Sequence, residues 1–200
     1  MLRHFVCARI ADPEKLAIAK DKVYEMCEKL DYVFNAEAGL DVLHAGNSYD
    51  LGFTMILKDK ETLDRYIADP LHVELAQYLR SVRQASAMAD FYVDDNSEPE
   101  EPAPRGLVRH QVCARIADPG KLEIARQKVI EMAGKLDYLS HVQVGLDVLH
   151  AGNSYDLGFT MLMKDKETLD RYIADPMHVE LAQYLRSVRQ ASAMADYYIG

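Results

Sequence analysis

HVELAQYLRSVRQASAMAD, residues 72–90, returns without a single change as residues 178–196, and this repetition determines how the chain is organised. When residues 1–94 are aligned with residues 107–200, one constant offset holds throughout and no gap is needed. Of the 94 aligned positions, 72 are identical. The chain therefore contains one structural unit twice.

The repeated stretch predicts a helix followed by a strand. Apolar residues recur at steps of three and four from Leu75 to Val82, as in an amphipathic helix. Just upstream, Asp69 is a typical N-cap and Pro70 suits the first helical position. The period then changes, and residues 86–93 are predicted to form a strand that closes the unit.

The rest of each copy, read toward its N-terminus, adds three strands and two helices. The predicted elements are a strand at residues 3–10, a helix opened by Asp12-Pro13 and continuing to Leu30, strands at residues 39–44 and 50–58 joined by a turn at residues 45–48, and a short helix near Asp59. The order strand, helix, strand, strand, helix, strand is that of the ferredoxin-like fold.

Such a unit has an antiparallel sheet with helices on one face only, so the other face requires a cover. The second copy can supply it if the two sheets pack face to face. We therefore predict an α+β fold in which two tandem ferredoxin-like βαββαβ repeats pair into an intramolecular dimeric α/β barrel. Further self-association of this pseudo-dimer stays open.

The segment between the copies has the composition of a linker. Residues 94–106 contain three prolines and five acidic residues and lack large apolar side chains, which is typical of an extended, solvated tether. We predict the first repeat at residues 1–93, an acidic, proline-rich linker at residues 94–106 and the second repeat at residues 107–200.

Composition narrows the classes of partner and compartment. The formal net charge of −9 argues against binding to nucleic acid. We expect neither a membrane span nor a signal peptide, since the sequence has no apolar run of sufficient length and begins with Met1-Leu2-Arg3-His4. The three cysteines, Cys7, Cys27 and Cys113, lack metal-binding spacing, so we interpret them as free thiols of a cytoplasmic protein.

The differences between the copies are concentrated in one block. Residues 33–38 are all replaced in residues 139–144, and we predict a loop and the start of a strand there. If each copy has a cavity near this block, the two cavities need not accept the same molecule. Drift in an exposed loop is the alternative interpretation.

Four motifs, taken in order and spacing, resemble one known family. They are Arg3-His4, Asn47-Ser48-Tyr49-Asp50-Leu51, Tyr66-Ile67-Ala68-Asp69-Pro70-Leu71-His72 and Asp90-Phe91-Tyr92. The chain resembles the stress-responsive dimeric α/β-barrel (Dabb) proteins over residues 2–94 and 108–200. The resemblance implies a barrel made from two paired sheets, here fused in one polypeptide.

The resemblance also implies candidate site residues. In a plant polyketide cyclase of this family, which closes a linear polyketide by aldol chemistry, the catalytic tyrosine and histidine correspond to Tyr66 and His72. An aspartate that partners this histidine corresponds to Asp90, and an N-terminal active-site histidine to His4. The matching positions in the second copy are Tyr172, His178, Asp196 and His110. Asp69 stands where family members often have histidine, which could change the charge at a cavity mouth.

These residue types suit proton transfer beside a carbonyl group. His72 lies in the first turn of a predicted helix, where the dipole disfavours a cation, while a carboxylate such as Asp90 would act in the opposite direction. The imidazole could then serve as a general base, and the Tyr66 phenol could stabilise an enolate oxygen. The alternative is that His72 and Asp90 only form a buried hydrogen bond between helix and strand.

His4 alternates with Val6 and Ala8 and is expected to face an apolar layer. It is either a structural core histidine or part of a catalytic or ligand-binding site. The spacing of histidines and cysteines does not indicate a metal site, and we expect no organic cofactor.

Two hypotheses follow. The first is a cofactor-free lyase, cyclase or isomerase that acts on a hydrophobic carbonyl compound with a histidine base, a tyrosine and an aspartate. The second is a non-enzymatic stress or small-molecule-binding protein with a structural barrel. Oxidation of aromatic compounds or haem binding is a third class, for which no axial-ligand pattern is evident.

Overall fold

The computed structural model describes residues 1–93 and 102–200, and within them the predicted order of elements occurs twice. We refer to residues 1–93 as the first repeat and to residues 107–200 as the second repeat. The first contains β1 (Leu2–Arg9), α1 (Pro13–Cys27), β2 (Phe34–Leu40), β3 (Leu51–Leu57), α2 (Lys60–Ala68), α3 (Pro70–Val82) and β4 (Ala85–Tyr92). The second contains β5 (Val108–Arg115), α4 (Pro119–Ala133), β6 (Ser140–Leu146), β7 (Leu157–Met163), α5 (Lys166–Ala174), α6 (Pro176–Val188) and β8 (Ala191–Tyr198).

Each repeat has a four-stranded antiparallel sheet, with strand order β2-β3-β1-β4 in the first and β6-β7-β5-β8 in the second. Side chains alternate between the two faces of these sheets. On β1, Val6 and Ala8 pack in a core that includes Val23 of α1 and Leu75 of α3. The predicted ferredoxin-like fold is confirmed for both repeats.

The opposite faces of the two sheets pack against each other. Their shared core includes Phe5 and Phe91 of the first repeat and Tyr197 of the second. The approach is close at Gly39, where an added Cβ would overlap the Tyr197 ring, so a side chain at this position would separate the sheets. The predicted cover for the bare sheet face is therefore the other repeat, and the two repeats form a pseudo-dimer.

The segment between β2 and β3 differs from the predicted strand and tight turn. Instead of continuing from residue 39 to residue 44, β2 ends at Leu40, and the chain then crosses to the edge of the opposite sheet. There, Val42 N–H donates to the Asp196 carbonyl at 2.7 Å, and Tyr49 N–H donates to the Met194 carbonyl at 2.8 Å. The edge strand β8 thus satisfies backbone groups that a local hairpin would have paired.

Helix starts are confirmed more closely than helix ends. Asp12, Asp59 and Asp69 all act as N-caps whose side chains accept backbone hydrogen bonds. The first helix, which was predicted to reach Leu30, ends at Cys27, and Leu30 packs in the core from the following turn. No helix in the described part of the chain is both long and apolar enough to cross a membrane.

The linker is only partly described. Residues 94–101 lie outside the described residues, so the predicted boundaries of residues 1–93, 94–106 and 107–200 stay a prediction. Where the described chain resumes, Gly106 N–H donates to the Ile199 carbonyl at 2.8 Å. All three cysteines are buried free thiols.

The block that differs between the copies, residues 33–38 and 139–144, contains the predicted start of a strand and is not an exposed loop. Residues 34–38 belong to β2, and Glu37 is buried between the sheets, where its carboxylate pairs with the Arg109 guanidinium of the second repeat, with Nη2 and Oε1 2.7 Å apart. At the corresponding place across the interface, Arg3 donates to the Gln143 side chain. Divergence in this block therefore changes the charge of the contact between the repeats.

Candidate active site

Each repeat has a cavity, partly open to solvent, between its sheet and the helices α2 and α3, or α5 and α6. The first cavity has a volume of about 260 Å³ and the second about 210 Å³. Val6, Phe53 and Met88 form part of the apolar wall of the first cavity. Three polar rings, those of His4, Tyr66 and His72, also line this cavity. The space beside Tyr66 and His72 is thus a cavity and not a filled core.

The wall of each cavity is completed by the other repeat. Leu149, Ala151 and Asn153 of the second repeat line the first cavity. They belong to the segment that crosses to β4, where Met88 N–H donates to the Asn153 carbonyl at 3.1 Å. The pairing of the repeats therefore forms part of both sites, and neither cavity has a full wall within one repeat.

Asp90 pairs with His4 and not, as expected from the sequence, with His72. His4 on β1 and Asp90 on β4 lie directly opposite in the antiparallel register, so their side chains share one face of the sheet. His4 Nδ1 and Asp90 Oδ1 are 2.7 Å apart, and both side chains are buried. In the second repeat, His110 Nδ1 and Asp196 Oδ1 are 2.6 Å apart.

This pairing determines the tautomer of the histidine. Asp90 accepts the hydrogen bond, so Nδ1 of His4 carries a proton, and Nε2 is the ring nitrogen that is left to accept a second proton. Asp90 Oδ2 is buried and has no hydrogen-bond partner among the described residues. The pair therefore has the arrangement of a general base that is oriented by a carboxylate.

The aspartate of this pair is also held by the opposite repeat. Asp90 N–H donates to Oδ1 of the buried Asp147 at 2.9 Å, and the Asp90 carbonyl accepts from Val148 N–H at 2.7 Å. Burial raises the pKa of Asp147, an effect that its hydrogen bonds from the Asp90 and His150 backbone oppose. The position of the His4–Asp90 pair thus depends on the interface between the repeats.

Tyr66 lies between the two histidines. Its ring centroid is 5.3 Å from that of His4 and 4.4 Å from that of His72. Its buried hydroxyl finds no hydrogen-bond partner in the described part of the chain. Burial, followed by the negative charge of nearby groups such as Asp90, raises the pKa of Tyr66 well above its usual value. The phenol thus stays protonated as a hydrogen-bond donor.

His72 is oriented by the backbone. Its Nδ1 donates to the Ile67 carbonyl at 3.0 Å, which leaves the Nε2 lone pair free. Burial and the nearby His4 lower the pKa of His72, and burial and His110 lower that of His178 to about 4. The carboxylate that was expected to raise the basicity of His72 is bound to His4, so His72 is neutral at neutral pH and a weak base.

Sequence reasoning missed two arginines of the site. His72, Ala76, Arg80 and Arg83 all line the first cavity, because they recur along one face of α3 and its C-cap. Continuing the helical period from His72 would have found them. The loop residues from the opposite repeat, in contrast, had no local sequence signal.

The two sites are chemically the same. Every residue that lines the first cavity has an identical counterpart in the second, and none of the 22 positions that differ between the copies lies in either wall. The diverged residues 142–144 line a separate surface groove beside α4. The hypothesis that cavities beside the diverged block need not accept the same molecule thus does not apply to these two cavities, whose walls contain no residue of the block.

The described residues contain no cluster of three or more histidine, cysteine, aspartate or glutamate side chains suited to a metal.

Comparisons with known proteins agree with this architecture. A model of the stress responsive A/B barrel domain family matches residues 2–93 and 108–199. The search of curated proteins gave no match.

Among solved structures, an anthrone oxidase-like protein matches with a TM-score of 0.77 and 13% identity, and the match covers 100% of this chain and 91% of that one. A candidate monooxygenase from Fusobacterium nucleatum matches with a TM-score of 0.62 and 8% identity, over 99% of this chain and 91% of that one. A candidate monooxygenase from Lactobacillus acidophilus has a TM-score of 0.55 and 13% identity, over 98% and 92%. At these identities the likeness establishes the fold alone.

Proposed function

The chain belongs to the stress responsive A/B barrel domain family, and from this premise we propose that it is a cofactor-free enzyme with two equivalent sites. Each site binds a small hydrophobic carbonyl compound and removes a proton from the carbon beside the carbonyl. The resulting enolate is the shared intermediate of lyase, cyclase and isomerase reactions. The observation that carries this proposal is the buried His4–Asp90 pair in the wall of an apolar cavity.

The geometry supports a division of roles that differs from the sequence hypothesis. His4 acts as the base through Nε2, and Asp90 orients the ring and stabilises the imidazolium that forms when the proton arrives. Tyr66 donates its hydroxyl to the enolate oxygen, where negative charge develops. His72, neutral and held by the Ile67 carbonyl, positions the substrate beside Tyr66. His110, Asp196, Tyr172 and His178 take the same roles in the second repeat.

This step needs no further reactant, because His4 both accepts and returns the proton. His4 accepts the α-proton as the C–H electron pair moves into the enolate, and the protonated ring returns it to carbon, to a leaving group or to the new alkoxide of an aldol product. The choice among these outcomes depends on the substrate. Removal of the α-proton precedes all of them, and incorporation of deuterium from D₂O reports this step when the proton on His4 exchanges with solvent before it is returned.

We therefore test exchange first. The full chain is incubated in D₂O with octan-2-one and nonane-2,4-dione, and loss of the α-proton signal is followed by NMR. We expect acceleration by the wild-type protein. His4→Gln combined with His110→Gln should reduce it roughly 100-fold or more, the usual contribution of a general base. Asp90→Asn with Asp196→Asn is the second variant, and circular dichroism verifies the fold of each.

The matched control replaces exposed histidines outside the cavities. His44→Gln with His150→Gln removes the same number of imidazoles from the same protein, and these side chains are largely exposed. This control should exchange at the wild-type rate. Binding of either ketone without any acceleration of exchange would reject the enzymatic proposal.

One observation favours a second candidate, a non-enzymatic small-molecule-binding protein. His72 and His178 have lowered pKa values, as expected for histidines in a dry apolar pocket. In that case the cavity residues would bind a ligand without chemistry, and the His4–Asp90 pair would only join β1 to β4. Saturable ketone binding with no exchange is the result that this candidate predicts.

A further inference from the structure

We propose that the ligand of each cavity carries a carboxylate, which Arg80 and Arg83 bind in the first repeat and Arg186 and Arg189 bind in the second. The ligand would thus be amphipathic, with an apolar body in the cavity and an anionic end against two guanidinium groups. This inference rests on the proposed function only in that it places the ligand in the same cavity. It does not depend on any reaction.

The placement of the two arginines is the first argument. Arg80 is on the last turn of α3, and Arg83 is the C-cap residue, so they lie three positions apart and project from neighbouring places on the helix. Both line the cavity whose wall also includes Leu75 and Leu79 from the same helix. Arg80 is exposed and Arg83 is half-buried, so the pair spans the boundary between the cavity and solvent.

The second argument is that no carboxylate of the described residues neutralises this pair. Neither guanidinium forms an ion pair with an acidic side chain in residues 1–93 or 102–200, whereas Arg65, Arg109 and Arg126 all do. The chain has 32 acidic and 23 basic residues, so carboxylates are in excess. Two neighbouring cations that no described carboxylate neutralises are suited to an anion from outside.

Without a ligand, the two positive charges of each pair repel each other, which is consistent with the proposal. Partial burial and, second, the positive charge of Arg80 lower the pKa of Arg83. The same direction and causes apply to Arg189 beside Arg186. A bound anion would relieve the repulsion within each pair, and two guanidinium groups can offer a carboxylate several charge-assisted hydrogen bonds.

A structural role for these arginines has to be distinguished from a ligand-binding role. Cations near a helix C-terminus stabilise the helix through its dipole, and Arg80 lies at this end of α3. In that structural role the arginines would contribute to folding stability, and the affinity for a ligand would not depend on the charge of its head group. Recognition of an anion would instead make affinity depend on the charge of the ligand head group.

The experiment compares four ligands that each contain eight carbons and differ in their head group. Octanoate, octyl phosphate, octanol and octylamine are titrated into the full chain by calorimetry, while the histidine ring protons of the cavities are followed by NMR to locate binding. We expect octanoate to bind roughly 10-fold or more tightly than octanol, since hydrogen bonds to charged groups have about this effect on affinity. Octylamine should bind most weakly. Added salt should weaken the binding of octanoate more than that of octanol.

Variants then test the two arginines. Replacing Arg80, Arg83, Arg186 and Arg189 by glutamine should remove the preference for octanoate over octanol and leave octanol affinity within about 2-fold of wild type. Replacing the same four residues by lysine should keep part of the preference for octanoate over octanol, because lysine retains the positive charge. The control, Arg65→Gln with Arg171→Gln, removes arginines that stack on Tyr32 and Tyr138 outside the cavities and should keep the full preference.

Several outcomes would overturn the proposal. They are equal affinity for octanoate and octanol, no binding of either, or a preference that survives the glutamine replacements. Tighter binding of octyl phosphate than of octanoate would reject the carboxylate and assign a phosphate instead. A clear octanoate preference in a protein that does not accelerate exchange would reject the proposed reaction and leave the anion site standing.

Discussion

Asp41 of the first repeat accepts a hydrogen bond from the backbone N–H of Asp196 in the second, with its Oδ1 2.9 Å from that nitrogen. The side chain of Asp196 also pairs with His110. The buried carboxylate of Asp41 therefore connects the interface to a candidate catalytic pair. In the same way, Asp147 of the second repeat accepts a hydrogen bond from the backbone N–H of Asp90 in the first. The two sites are thus connected to the contact between the repeats by four aspartates.

This relationship predicts an effect of Asp41→Asn combined with Asp147→Asn. Each aspartate also accepts from a second backbone donor, the N–H of His44 or His150. Asparagine can keep only one of the two acceptor oxygens, so a buried donor loses its partner. We expect the free energy of unfolding to fall by about 1–3 kcal/mol per site in urea denaturation.

The matched control is Asp64→Asn, which disrupts an exposed pair with Lys60 on α2. Exposed pairs at this spacing contribute about 0.3–0.5 kcal/mol, so the control should change stability very little. Equal losses of unfolding free energy in the control and the double variant would show that Asp41 and Asp147 stabilise the fold no more than an exposed ion pair does.

Tyr66→Phe combined with Tyr172→Phe should separate stability from activity. The hydroxyls are buried without partners in the described part of the chain, so their removal relieves a desolvation cost and opens no large void. We expect thermal stability to stay the same or rise, while exchange of the ketone α-proton falls. A loss of more than about 1 kcal/mol would mean that each hydroxyl has a stabilising partner.

Stability should also depend on His72 and His178 in acid. Burial lowers both pKa values, that of His178 to about 4, whereas an unfolded histidine titrates near 6.5. Below about 6.5 the unfolded chain binds more protons than the folded chain, so the free energy of unfolding decreases as the pH falls, and for His178 this decrease extends to about pH 4. Above about 6.5 the contribution is fully present.

The measurement is urea denaturation at several pH values between 4 and 8. Carboxylates also titrate in the acidic part of this range, so the informative quantity is the difference between wild type and His72→Gln with His178→Gln. The unfolding free energy of the variant should change less steeply with pH than that of the wild type. Parallel slopes would mean that both histidines titrate as they do in water.

The contact between Glu37 and Arg109 predicts a graded series. Glu37→Ala leaves a buried guanidinium without its carboxylate and should cost about 3–5 kcal/mol. Glu37→Gln should cost clearly less, since Gln143 already serves as acceptor for Arg3 at the equivalent place. Urea denaturation gives both values, and an equal cost for the two replacements would contradict this explanation.

The sequence predicted the elements well where their signals are local. Asp69 and Pro70 start α3 as the capping pattern indicates, and the alternation in β1 identifies the helix-facing residues correctly. The strand β2 was placed too late because its first residues belong to the diverged block, where the alternation is interrupted by a bulge and Asn35 has a positive φ of 48°. Irregular backbone of this kind carries little periodic signal.

The candidate site was predicted in its members but not in its pairing. His4, Tyr66, His72 and Asp90 all lie at one cavity, as do their counterparts in the second repeat. Sequence spacing gave no means to decide whether Asp90 would bind His4 or His72, because that choice depends on the register of β1 against β4. Their catalytic roles stay a prediction.

By itself, the sequence determined that two ferredoxin-like units follow each other and that the bare face of each sheet must be covered, since periodicity and capping are properties of neighbouring residues. Only the tertiary structure decided that Asp90 pairs with His4 and that segments 41–49 and 147–155 complete the opposite sites. These relationships join residues far apart in the chain. Strand register and the docking of two sheets place them, and both depend on packing over the whole molecule.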